Sequence, residues 1–181
     1  MAVTTTLGRA LCAGALGLAG VGVASGAGAT TTTAPHLGPA PSCRPAQMRL
    51  SLGVAQGAAG SIYHPIIFTN TSGTCVIWGV PHIQPVIGAT HRPVGPAASN
   101  ASVGMMPARH YVGRGQSVSV GFAVAETGNY PASRCRAHSA SGVIVSLSPF
   151  VRSTYLRLVF TTCTAQASTR TALIVPGRSG A

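Results

Sequence analysis

Carboxylate chemistry is almost closed to this chain: its single acidic residue is Glu126, set against 12 cationic residues, every one of them arginine. Two carboxylates cannot be paired for general acid–base work. A Ser-His-Asp triad lacks any Asp, and no G-x-S-x-G elbow occurs. Calcium and magnesium sites need clustered carboxylates, which are missing. We therefore expect no enzyme and no cofactor. Six histidines remain: His36, His64, His82, His91, His110 and His138. No two of them are two or four residues apart, so none forms a local ligand pair. His64 shares a strand face with Ile62, Ile66 and Phe68, where a partly buried, hydrogen-bonded ring is expected. His82, His91 and His110, with Met105 and Met106, would hold a soft transition metal only if folding brought them to one end of the domain. That arrangement, centred on the loop 89–110, is the alternative reading: a metal- or small-molecule-binding protein.

Cysteine offers covalent rather than catalytic chemistry. Beyond Cys12, four cysteines remain: Cys43, Cys75, Cys135 and Cys163. None are spaced C-x-x-C, which argues against zinc. An even count in an exported chain reads as disulfides, with three possible pairings. One staple in each half, Cys43 with Cys75 and Cys135 with Cys163, is the pairing we favour. Each would close a loop of roughly 30 residues, about 3.6 kcal/mol in the chain-entropy picture.

The arginines give a formal net charge of +11, which predicts attraction to anionic surfaces. They are dispersed along the chain, and the tightest cluster is "SRCRAH" (133–138), making Arg134 and Arg136 the candidate anion contacts. Arg170 and Arg178 stand apart, near what reads as a mobile C-terminal end. Bases would need aromatic residues between the cations to stack on, and these are absent, so nucleic acid is rejected as a partner. Trp78 follows a strand cysteine by three residues and reads as core packing over the disulfide. Asn70 and Asn100 head N-x-S/T sequons, which we take as chance occurrences.

These residues must be positioned by strands, because the hydrophobic pattern has period two throughout. Met48, Leu50 and Leu52 alternate with Gln47, Arg49 and Ser51. Val118, Val120, Phe122 and Val124 alternate with Ser117, Ser119, Gly121 and Ala123. "YLRLVF" (155–160), "GVIVSLS" (142–148) and "TALIVP" (171–176) behave likewise. "SIYHPIIFTN" reads as a strand that Pro65 confines to an edge or a bulge. "TNTSGT" then supplies turn chemistry, "CVIWG" (75–79) the returning strand, and "HIQPVIG" (82–88) the next leg of a meander. No segment has a helical period.

The N-terminus reads as an address. "RALCAGALGLAGVGVASGAGA" (9–29) has Arg9, an uncharged apolar run and small residues at its end, the layout of a secretory signal peptide. Cleavage is expected after one of residues 24–29, leaving no transmembrane segment; an uncleaved anchor is the rival. Cys12 lies too early and follows Leu11, which does not suit a lipobox. The organisation expected is a signal peptide at 1–29, a Thr/Pro/Ala-rich tether at 30–41, a domain at 42–177 and a C-terminal tail at 178–181.

"SCRPAQMRLSLG", "GAAGSIYHPIIFTNTSGTC", "WGVPHI", "VGRGQSVSVGF" and a closing "LIVPG" resemble the secreted actinobacterial family called domain of unknown function 4232, over about residues 42–177. The resemblance implies an exported, often wall-associated or lipid-anchored protein with an immunoglobulin-like β-sandwich. It transfers no catalytic motif, because the family has no established activity. Two features depart from the pattern: the long loop 89–110 with its Met and His residues, and the near-total loss of acids. The expectation is an all-β, disulfide-stapled, immunoglobulin-like antiparallel β-sandwich of about seven to nine strands. It would be secreted and extracellular, and would bind or decorate an anionic component of the cell envelope.

Overall fold

Strands with one apolar face need a second such face to bury against, and here two sheets supply it to each other. The structure, a computed structural model, describes residues 39–180. The segment expected to be a signal peptide, His36 and most of the expected 30–41 tether lie outside the described residues, as does Ala181. In chain order the strands are β1 (Met48–Leu52), β2 (Gln56–Ala58), β3 (Ser61–Asn70), β4 (Cys75–Ile77), β5 (His82–Ile87), β6 (Arg92–Pro93) and β7 (Ser99–Asn100). There follow β8 (His110–Val112), β9 (Ser117–Ala125), β10 (Ala137–Leu147), β11 (Val151–Cys163), β12 (Thr169–Thr171) and β13 (Val175–Pro176). Thirteen strands among the described residues stand against the seven to nine anticipated. The surplus comes from pieces of two or three residues, too short to carry a period.

One layer runs β1-β3-β9-β12-β7, with β2 alongside β3 and β13 alongside β9; the other runs β11-β10-β5-β6. A two-stranded ribbon, β4 with β8, completes the domain. The layers share one core. Ile66 and Phe68 of β3 and Val118, Val120, Phe122 and Val124 of β9 pack with Ile83 of β5 and Val143, Val145 and Leu147 of β10. Phe122 meets Phe160 of β11 edge to face, with centroids 5.7 Å apart.

Pairing differs from the meander expected after β3. The returning strand β4 pairs with β8, Cys75 opposite Val112, and β5 pairs with β10, Val86 opposite Gly142. The turn is a crossover because Asn70 ties it elsewhere. Its buried amide donates to Gly73 O at 2.9 Å and to Val112 O at 2.7 Å, while its Oδ1 accepts from Ser72 N–H at 3.0 Å.

Pro65 lies in a central strand, not an edge. It stands opposite Gly53, in the gap where β1 has ended and β2 has not begun, so its missing N–H costs no ladder bond. Gly53 N–H donates to Pro65 O at 2.8 Å. A Cβ at Gly53 would come within 2.9 Å of Pro65 Cβ, so the close approach itself requires glycine.

"TALIVP" is two strands rather than one. Both β12 and β13 pair with β9, but between them Leu173 N–H donates to Ser102 Oγ and Ile174 N–H to Gly79 O. Those donors have left the β9 ladder. A four-residue helix, α1 (Ala132–Cys135), was also not anticipated, being too short to show a period. The C-terminal residues are not a free end: Gly180 N–H donates to Ser119 Oγ at 2.9 Å and covers the outer side of β9. That is why Ser119, on the polar face of the alternation, is fully buried.

Candidate functional site

All eleven described arginines are exposed, as is Glu126, and no ion pair joins an arginine to that carboxylate among the described residues. Arg134 and Arg136 flank Cys135, whose disulfide to Cys163 fixes their backbones. Arg136 is left-handed, at φ 50°, and closes α1 through its N–H to Ala132 O. Its carbonyl accepts Thr164 Oγ1 at 2.9 Å. Neither guanidinium has a hydrogen-bond partner among the described residues. Arg170 and Arg178, which stand apart from that cluster in sequence, are held differently: Arg170 sits in β12, and Arg178 Nη1 donates to Ser117 Oγ at 3.3 Å.

The three histidines do not converge. His82 is exposed at the start of β5, opposite Ser146. His91 follows the other end of that six-residue strand, roughly 17 Å along it, and stacks on Tyr155 with centroids 4.0 Å apart. His110 lies in β8, with Nε2 3.0 Å from Ile174 O. Among the described residues no three His, Cys, Asp or Glu side chains come together as metal ligands. The alternative metal arrangement is not assembled: the three rings lie at the start of β5, beyond its far end against Tyr155, and on β8 against Ile174 O. Met105 and Met106 point to solvent instead, 65% and 91% exposed.

His64 is partly buried, as its face required, and desolvation lowers its pKa from 6.5. Its ring has no hydrogen-bond partner among the described residues, contrary to expectation.

Trp78 is only half-buried. One side meets Phe150 edge to face at 4.5 Å, and the guanidinium of Arg109 lies 4.2 Å from the ring centroid. This places a cation over an aromatic face. Arg109 and Arg178 both line an open cleft of about 570 Å³ between β8, β9 and β13, beside Tyr111 and Gln116.

Arg109 also ends the loop that departs most from a buried pattern. Residues 103–108, "VGMMPA", are all exposed and contain no polar side chain. The loop's legs are anchored on one segment: Ser102 Oγ accepts from Leu173 N–H at 3.1 Å, and His110 Nε2 meets Ile174 O. The sequence placed the methionines only in the alternative metal reading, and the pairing of Arg109 with Trp78 was missed. The uninterrupted apolar run before an arginine was the available signal.

A family model described as a domain of unknown function, DUF4232, matches residues 43–175. No curated protein and no solved structure matches the chain significantly.

Proposed function

The chain belongs to the DUF4232 family, and on that premise we propose that it is a noncatalytic, exported module that adsorbs to anionic material of the cell envelope. The reading includes a secreted, immunoglobulin-like domain of actinobacterial type, freed by cleavage of its N-terminal segment. Its main support is the charge arrangement: eleven exposed arginines with no neutralising acid, carried on a doubly stapled sandwich. Unpaired exposed cations keep their full attraction for an external polyanion. A lone exposed carboxylate, Glu126, supports the noncatalytic part.

The test is adsorption to isolated envelope material across ionic strength, where attraction through arginines weakens steeply as salt rises. Arg134→Ser/Arg136→Ser should weaken it more than Arg49→Ser/Arg157→Ser, which removes the same charge from two exposed strand positions. Arg134 and Arg136 stand two residues apart on a backbone fixed by the Cys135–Cys163 bridge, near enough in the chain to serve a single phosphate or carboxylate, whereas Arg49 and Arg157 belong to two different strands. Equal losses would reduce the effect to net charge. Salt-independent adsorption, or none, would reject the proposal.

A further inference from the structure

We infer that the 103–108 tip is a membrane-entering loop whose partner is an anionic lipid bilayer, with the Arg109–Arg178 cleft seated at the headgroup phosphates. This rests on the envelope-binding reading above and names its partner.

Three large apolar side chains stand in water on one short loop: Val103 at 80%, Met105 at 65% and Met106 at 91% exposure. No polar side chain interrupts them from Val103 to Ala108. The loop is not loose at its base, because Ser102 and His110 hold both legs to Leu173–Ile174. A braced loop presenting bare apolar side chains is shaped to enter something rather than to receive it. Methionine is unbranched and adaptable, which suits a deformable apolar medium better than a shaped protein pocket.

Charge selects the same partner. Arg109 follows Met106 by three residues, a reach of at most about 10 Å. That matches the depth, roughly 5–10 Å, to which apolar side chains enter the boundary between headgroups and acyl chains. With Met106 at that depth, Arg109 stands among the phosphates. Arg178 lines the same cleft, and Tyr111, 66% exposed, adds an aromatic of the type that favours a membrane interface. No carboxylate lies in the loop or lines the cleft to repel an anionic headgroup.

The experiment uses the protein as isolated from its producing cells, vesicles of phosphatidylglycerol mixed with phosphatidylcholine, vesicles of phosphatidylcholine alone, purified anionic wall polymer, and a protein extract of the envelope. Met105→Ser/Met106→Ser should lower partitioning onto the phosphatidylglycerol vesicles about tenfold, with the salt dependence retained. Both side chains are largely in solvent, so its unfolding midpoint should match wild type. Met106→Trp in a Trp78→Phe background, whose only tryptophan is at the tip, should show a blue-shifted emission with phosphatidylglycerol vesicles and none with phosphatidylcholine alone. This local readout separates the tip from any contribution of residues 1–38. Vesicle binding without the blue shift, or without loss in the double variant, overturns the inference and leaves the envelope reading standing. Binding to wall polymer but not to vesicles does the same. A blue shift produced only by an envelope protein extract would assign a protein partner and overturn it too. Binding to none of these rejects both readings.

Discussion

Tyr155 occupies the space where a side chain at Gly142 would begin: a Cβ on that glycine would overlap Tyr155 Cε2 and the carbonyl oxygen of Leu156. The tyrosine is held there by its hydroxyl, which donates to Ser141 O at 2.9 Å, and by His91 stacked on its ring. Gly142→Ala should therefore destabilise the domain by about 1–3 kcal/mol through overpacking, read as a lower midpoint in denaturant. Measured against Tyr155→Ala alone, which loses the Ser141 bond and the His91 stack, Gly142→Ala should cost less than it does in wild type but still something, because the Leu156 carbonyl is backbone and cannot move aside. Full additivity of the two changes would show that the ring and the glycine are not coupled.

Asn70 is a second sensitive position. It is fully buried and its amide satisfies carbonyls on two different elements. Asn70→Ala should cost about 1–3 kcal/mol, since it strands the buried Val112 carbonyl. The same burial predicts that, in a glycosylating host, mass spectrometry of the folded protein finds glycan at the exposed Asn100 sequon and none at Asn70.

Both disulfides are buried, Cys43–Cys75 across 32 residues and Cys135–Cys163 across 28. Each double Cys→Ser variant should lose about 3.6 kcal/mol of unfolding free energy. Denaturation curves for the two variants should consequently shift by similar amounts. A shift confined to one of them would mean that the other bridge adds strain equal to its entropic gain.

His64 sets a pH dependence of known sign. Burial lowers its folded pKa from 6.5, so between the folded and unfolded values the unfolded chain binds more protons. The stability associated with the neutral ring is present above about pH 6.5 and is lost as the pH falls through the folded pKa. His64→Gln, which cannot titrate, should flatten the decline in denaturation midpoint between pH 7.5 and pH 5. An unchanged decline would place the pH sensitivity elsewhere, in the general repulsion of a cationic chain.

Much of the fold is written locally. Alternation in residues 48–52, 117–125 and 155–160 marks strands and their inward faces, because a pleated chain sends successive side chains to opposite sides. Composition alone removes chemistry that needs two carboxylates, since no tertiary arrangement can pair Glu126 with an acid that is not there. Counting cysteines left three pairings, and the folded chain joins Cys43 to Cys75 and Cys135 to Cys163.

Which strand lies beside which was not legible. Backbone donors and acceptors are chemically alike in every strand, so partner choice is made by long-range burial and by particular side chains. Asn70 turns an apparent hairpin into a crossover, and the Gly53 gap lets a proline into a central strand. The candidate site depends on the same decisions. His82, His91 and His110 are near in sequence yet are dispersed by an extended strand and a separate ribbon. Arg109, Trp78 and Arg178 are far apart in sequence, and only the packing of β8 and β13 against β9 puts Arg109 and Arg178 on one cleft, with Trp78 beneath Arg109. Residue types set what chemistry was available; the long-range contacts chose which of those residues meet.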